Sequence, residues 1–164
     1  MTSTLNHQSP TLEQQEHVSH GQLEVSSRAS HRHAGDATAA GLTAGMILQI
    51  VLIHLIDQDW FAFAKGPSYI QSGYTSIEIA GVVIAGWLIL RRSWLAWGAA
   101  VAIAAGPLLG FVASRGPGLP NYTDDMGNWF EPLGVASVLV ELAVIAIAGR
   151  QLLKRMPNLR TFRW

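Results

Sequence analysis

Cysteine is absent from this chain of 164 residues. Disulfides, cysteine-ligated zinc, iron–sulfur clusters and thiolate nucleophiles are therefore excluded. Charged residues make up only 13% of the sequence, whereas a soluble domain usually has about 25%. Most of these charges lie outside long apolar segments, and this distribution predicts an integral membrane protein.

Known enzyme signatures are also absent. The chain has no nucleophile elbow, phosphate-binding loop, dinucleotide fingerprint or HExxH motif, so no catalytic residue is predicted. No internal repeat is evident, which gives no support to an inverted-repeat transporter. The N-terminal segment is neither basic nor aromatic enough to predict a nucleic-acid partner.

Four apolar segments are present, and they predict an all-α bundle of four transmembrane helices. Their approximate bounds are 39–57, 74–91, 94–113 and 130–150 within a transmembrane domain at 39–150. Ser93 is a candidate helix cap. Thr75 with Glu78 fits a capping box, as does Asn128 with Glu131, and Pro132 suits a first helical turn. The second segment is the shortest.

Polar segments flank the predicted membrane domain. Residues 1–38 contain no apolar cluster and are predicted to form a disordered cytoplasmic tail, although their five histidines could bind metal. About 38 polar residues at the start do not fit a signal peptide, so the first apolar segment is expected to be retained. Residues 151–164 form a basic segment suited to the anionic inner membrane surface.

Basic residues predict the orientation. Four spans put both termini and the hairpin at Arg91 and Arg92 on one side, which then carries nine of the eleven Lys and Arg. Only Lys65 and Arg115 lie on the other side. The positive-inside rule therefore predicts that both termini are cytoplasmic, in a bacterial-type plasma membrane.

Glu141 is the most informative residue, because a carboxylate in the middle of an apolar span is costly and marks a functional position by default. Counting along the helices puts Glu141 about 13 Å from the cytoplasmic end, level with Gln49. His54 and Glu78 lie about 20 Å from that end. The sequence therefore predicts two polar tiers.

Small residues recur at helical spacing in every span, and such stripes favour helix contacts in lipid. They predict that Gln49, Glu78 and Glu141 point into the bundle. The predicted packing residues are Gly41, Gly45, Gly81, Ala85, Gly106, Gly110, Gly134 and Ser137.

No Lys or Arg lies inside the spans to pair with Glu141. Three interpretations remain open. The carboxyl group is protonated and hydrogen-bonded to Gln49, Ser137 or a backbone carbonyl; it is a proton or cation site; or it contacts a partner subunit.

Other polar residues support further hypotheses. Glu78 either caps a helix or pairs with His54, which cannot form a bis-histidine haem site because no other histidine lies in a span. His54, Asp57, Glu78 and Asp124 together could hold a divalent metal. On the outer face, Asp124, Asp125 and Glu131 resemble an oxygen-rich cation loop without fitting the EF-hand pattern.

Three functions are compatible with these patterns. The first is a non-enzymatic subunit or stabilising component of a membrane complex, with the lipid bilayer and a membrane protein or a second copy as partners. The second is proton or cation handling by Glu141, Glu78 and His54. The third is a metal- or quinone-linked oxidoreductase component. The sequence requires no cofactor.

Overall fold

Four α-helices form the described part of the chain, which comprises residues 12–60 and 66–156 of the computed structural model. The helices are α1 (Leu12–Asp57), α2 (Ser68–Leu90), α3 (Trp94–Arg115) and α4 (Pro132–Arg155). No strand occurs in these ranges; an isolated bridge pairs Leu119 with Tyr122. The predicted all-α class is confirmed.

Each helix contains a stretch long and apolar enough to cross a membrane. These stretches are Ala34–Asp57, Ser68–Leu90, Trp94–Arg115 and Pro132–Arg155. Most of their residues are not buried inside the protein, and large apolar side chains such as Ile79, Leu109 and Leu139 are exposed. An apolar exterior of this kind suits contact with lipid.

The first predicted boundary differs from the structure. α1 begins at Leu12, inside the segment predicted to be disordered, and the chain divides into two compact units at Ala37 and Thr38. Residues 1–11 lie outside the described part, and disorder of segment 1–38 stays a prediction. Within the predicted basic segment 151–164, α4 continues to Arg155, and residues 157–164 are also outside the described part.

α2 begins earlier than predicted. Its helix starts at Ser68 after an extended Pro67, so the predicted capping box of Thr75 and Glu78 is wrong. Thr75 lies mid-helix, and its hydroxyl donates to the Gln71 carbonyl at 3.0 Å. The 23 residues of α2 rise about 34 Å, which is sufficient for a hydrocarbon core of about 30 Å.

The predicted cap of α3 is confirmed, and the predicted cap of α4 is wrong. Ser93 caps α3 as predicted, its hydroxyl accepting from the Ala96 amide at 3.3 Å. The cap of α4 is Glu131 and not Asn128. The Asn128 amide instead donates to Asp125 in the preceding turn, and Pro132 follows Glu131 at the start of the helix. Pro132 needs no amide partner there.

The hydrophobic core occupies the half of the bundle nearest the α2–α3 connection, which we call the hairpin end. All four helices contribute to it, and Trp97 is completely buried at 0% exposure. The buried core residues are Ala40, Ala44, Ile47, Ile50, Ala85, Leu88, Ala96, Trp97, Ala100, Ala104, Val144 and Ala148. Their high alanine content allows the helix backbones to approach closely.

The structure contradicts the inward orientation predicted for one stripe of α1. Gly41, Gly45 and Gln49 are exposed, and a β-carbon on either glycine would meet no atom within 4 Å. α1 has a second face, with Ala44 and Ile47, and this face is buried instead. Because branched side chains fill more of the space between helices than glycine does, this face makes the better packing surface.

Gly81 of α2 packs against Val51 of α1. A β-carbon on Gly81 would lie 2.4 Å from the Cγ2 atom of Val51, so the glycine is required by packing. Val51 is itself buried and stiff at χ1, which limits how far it can move aside.

We predict that Gly81→Ala lowers the free energy of unfolding by about 1–3 kcal/mol, because overpacking forces helices apart. Gly86→Ala is the matched control on the same helix, since Gly86 is exposed and has open space around it. Unfolding of both variants in detergent or nanodiscs checks the prediction. Equal stability of the two variants would contradict the close approach of α1 and α2.

Candidate functional site

A cavity of about 290 Å³ occupies the other half of the bundle. This half carries segment 116–131, and we call it the loop end. Lining residues come from all four helices and from segment 116–131. Gly106 and Gly110 of α3 line the space, and their β-carbons would meet no neighbouring atom within 4 Å. These glycines therefore help to leave the volume open.

Glu141 is the cavity-lining residue of α4 that lies farthest from the loop end. It is buried to 1% exposure. Ser137, one turn earlier, donates from its hydroxyl to Glu141 Oε1 at 2.6 Å. Glu141 Oε2 is buried without a hydrogen-bond partner. An unpaired buried oxygen is costly, so this atom needs a proton, a water or a ligand in the cavity.

The inward position of Glu141 follows from the sequence of α4. Ser137, Glu141, Val144 and Ala148 are spaced by three or four residues, and all four are buried. The α4 stripe therefore faces the bundle interior. Its outer part borders the cavity, whereas Val144 and Ala148 belong to the core.

Arg115 organises the loop end of the cavity. Its guanidinium donates to Asp125 at 2.9 Å, lies 3.7 Å from Glu131 and sits 4.7 Å from the centre of the Phe111 ring. Arg115 also donates to Ser114 at 2.9 Å. This buried cation therefore joins the end of α3 to segment 116–131 and to the cap of α4.

The tyrosine of segment 116–131 completes this arrangement. Tyr122 donates from its hydroxyl to Asp125 at 3.0 Å. Burial and this hydrogen bond raise the pKa of Tyr122 above its usual range, so the hydroxyl stays protonated and remains a donor. Tyr69 of α2 donates to the Pro120 carbonyl at 2.6 Å, which attaches α2 to the same segment.

α1 and α2 form the opposite wall. His54 Nδ1 lies 2.9 Å from the Ile50 carbonyl, one turn earlier. The His54 and Tyr74 rings are 5.3 Å apart between centroids, and the Tyr74 hydroxyl donates to the Asp57 carboxylate. The wall is therefore aromatic on its cavity side, with one carboxylate held by a tyrosine.

The structure brings together only some of the predicted site residues. Five of them line the cavity: His54, Asp57, Asp125, Glu131 and Glu141. Glu78 is not a lining residue and accepts a hydrogen bond from Gln58. Gln49 is exposed on α1, which contradicts its predicted inward orientation, and Asp124 is exposed outside the cavity.

The predicted metal and cation-loop sites can be compared with these positions. Among the described residues, no group of three or more His, Asp or Glu side chains is placed to hold a metal ion. The proposed set of His54, Asp57, Glu78 and Asp124 is therefore not assembled here. Asp125 and Glu131 of the predicted cation loop instead face the cation of Arg115.

Sequence reasoning missed Arg115, Tyr74 and Tyr122 as site residues. From the sequence, Arg115 is only a charge on one side of the membrane, and neither tyrosine is predicted as a site residue. For Tyr74 a signal was available, because Ile70, Tyr74 and Ile77 share one helical face. The acidic partners of Arg115 lie beyond a turn-rich segment, so helical spacing could not identify Arg115 as a site residue.

We predict that Arg115→Met destabilises the loop end by about 1–3 kcal/mol, because Asp125 loses its charged donor and Glu131 loses the nearby cation. Cleavage of segment 116–131 by an added protease should become faster. Arg92→Met is the matched control, since Arg92 is exposed at the hairpin end. Equal cleavage rates in both variants would show that Arg115 does not hold the segment.

Comparisons of the chain with models of protein families, with curated proteins and with solved structures find no match. The functional argument therefore depends on the cavity and its residues. Its defining feature is a buried carboxyl group with one unpaired oxygen.

Proposed function

We propose that this chain is a membrane protein that binds a cation at Glu141 in exchange for a proton, with the cavity at the loop end as its binding site. The observation that carries the proposal is that Glu141, whose buried Oε2 atom has no hydrogen-bond partner, is a lining residue of the cavity. A carboxyl oxygen in that position can hold a proton or accept a hydrogen bond from a cation.

Because Glu141 is buried, a proton and a cation compete for its carboxyl group. The low dielectric around Glu141 penalises an isolated negative charge, and no Lys or Arg lies between Pro132 and Ala148 to balance it. The empty site therefore favours the uncharged carboxylic acid. A bound cation favours the carboxylate, so the proton leaves for water as the cation binds. Thermodynamic linkage makes this competition reciprocal.

The predicted orientation of the helices determines on which side of the membrane the cavity lies. If both termini and the Arg91–Arg92 hairpin are cytoplasmic, as the positive-inside rule requires, the loop end lies on the outer side of the plasma membrane. A cation would then reach Glu141 from outside the cell.

We predict that Thr123→Cys reacts with a membrane-impermeant maleimide in intact cells, whereas Arg92→Cys reacts only after permeabilisation. Thr123 and Arg92 are both exposed, at the loop end and the hairpin end respectively. The native chain has no cysteine, so it gives no background labelling. The reverse pattern would place the cavity on the cytoplasmic side.

The function is tested with Glu141→Gln, which keeps the shape of the side chain and an acceptor for Ser137 but cannot ionise. We predict that infrared difference spectra of the wild-type protein contain a buried carboxylic-acid band that this variant lacks. At least one of two salts, sodium chloride and butylammonium chloride, tested separately at constant pH, should reduce the wild-type band and release protons.

Glu78→Gln is the control, since Glu78 does not line the cavity, and it should behave like the wild-type protein. We expect Glu141→Gln to unfold within about 1 kcal/mol of wild type, because the hydrogen bond from Ser137 is retained. A wild-type protein in which neither salt changes the band or releases protons would overturn the proposal.

A second function, a non-enzymatic component of a membrane complex, is favoured by the exterior of α1. Gly41, Gly45 and Gln49 form a small and polar stripe on its exposed surface. An amide in contact with lipid lacks the hydrogen bonds that a neighbouring helix could supply. In this case the essential residue would be Gln49, and Glu141→Gln would leave assembly unchanged.

A further inference from the structure

We infer that the cavity takes a protonated organic amine with an apolar substituent, whose N–H group donates to Glu141 Oε2. The inference rests on the proposed function and deepens it by naming the class of cation. The class of cation is restricted by the volume of the cavity, by its charges and apolar lining, and by the unpaired oxygen of Glu141.

The volume of the cavity favours an organic ligand. A space of about 290 Å³ corresponds to roughly ten water molecules at about 30 Å³ each. A bare metal ion would fill little of it and would need about six oxygen ligands. No cluster of metal-ligating side chains surrounds this space among the described residues.

The charges around the cavity favour a cation over an anion. Acidic side chains outnumber basic ones, and Arg115 is engaged with Asp125 and Glu131. The titratable and charged groups on the lining are His54 and Asp57 of α1, Tyr69 and Tyr74 of α2, Arg115 of α3, Tyr122 and Asp125 of segment 116–131, and Glu131 and Glu141.

The rest of the lining suits an apolar substituent. Ile53, Ile77 and Leu133 border the cavity together with the rings of Tyr74 and Phe111. Aromatic faces attract cations as well as apolar groups, and the Phe111 ring already carries the Arg115 guanidinium at 4.7 Å. An alkyl- or arylammonium ion therefore matches both the charge and the surface of the site.

The unpaired oxygen determines which ammonium ions fit. Glu141 Oε2 has no donor, and a charge-assisted N–H bond would satisfy it. A quaternary ammonium ion has a similar shape and charge but no N–H group. It would leave Oε2 without a hydrogen bond, so the site should discriminate against it.

The test measures binding of three matched probes to the full-length protein in nanodiscs by isothermal titration calorimetry. They are benzyldimethylammonium, benzyltrimethylammonium and neutral benzyl alcohol. We expect the first to bind at least about tenfold more tightly than the second, which is the loss typical of one charge-assisted hydrogen bond. Benzyl alcohol should bind no more tightly than it partitions into protein-free nanodiscs.

Variants of the protein distinguish binding of the probes in the cavity from their partitioning into the lipid. Glu141→Gln should remove the preference for the N–H ammonium ion, and Tyr74→Leu should weaken binding of both ammonium ions by removing a ring. Glu78→Gln should bind all three probes like the wild-type protein. Because Tyr74→Leu can also disturb the fold, Tyr74→Phe is included; it keeps the ring and should retain the affinity.

The outcomes distinguish this inference from the proposed function. Equal affinity for the two ammonium ions, or equal binding to wild type and Glu141→Gln, would overturn the amine assignment. If sodium alone releases the Glu141 proton, the exchange function survives and the ligand class is wrong. If no cation releases it, both proposals fail.

Discussion

Helices in a bilayer associate through close packing and hydrogen bonds, because lipid chains are as apolar as the side chains they would replace. This constraint governs the hairpin end, where alanines from all four helices and Gly81 of α2 allow close contact, with Trp97 buried among them. The loop end is organised by hydrogen bonds and an ion pair. One chain thus uses apolar packing at one end and polar contacts around a cavity at the other.

Arg115 and Glu141 occupy different polar environments in that second half. Arg115 has two acidic partners and an aromatic ring, so its charge is balanced within the fold. Glu141 has one hydroxyl donor and an oxygen with no partner. The first arrangement is typical of a structural ion pair. In the arrangement around Glu141, Oε2 can still accept a hydrogen bond, and a ligand can donate one to it.

Much of the helical fold could be predicted because apolar length is a local property of the sequence. The inward position of Glu141 also followed, since α4 has a single small and polar stripe. α1 has two stripes of small residues, and only the other helices decide between them. Glu78 was predicted to point into the bundle, but it accepts a hydrogen bond from Gln58 and does not line the cavity. The partners of Arg115 depend on the turns at Gly118, Asn121 and Gly127, where φ is positive.

The glycines on the cavity wall have an evolutionary consequence. Gly106 and Gly110 face open space, so a methyl or larger group at either position would narrow the cavity without entering the core. If the cavity binds a ligand as proposed, related chains could change the size of molecule they accept by a single codon. Ligand size and core packing would then evolve largely independently, because these two glycines lie outside the core.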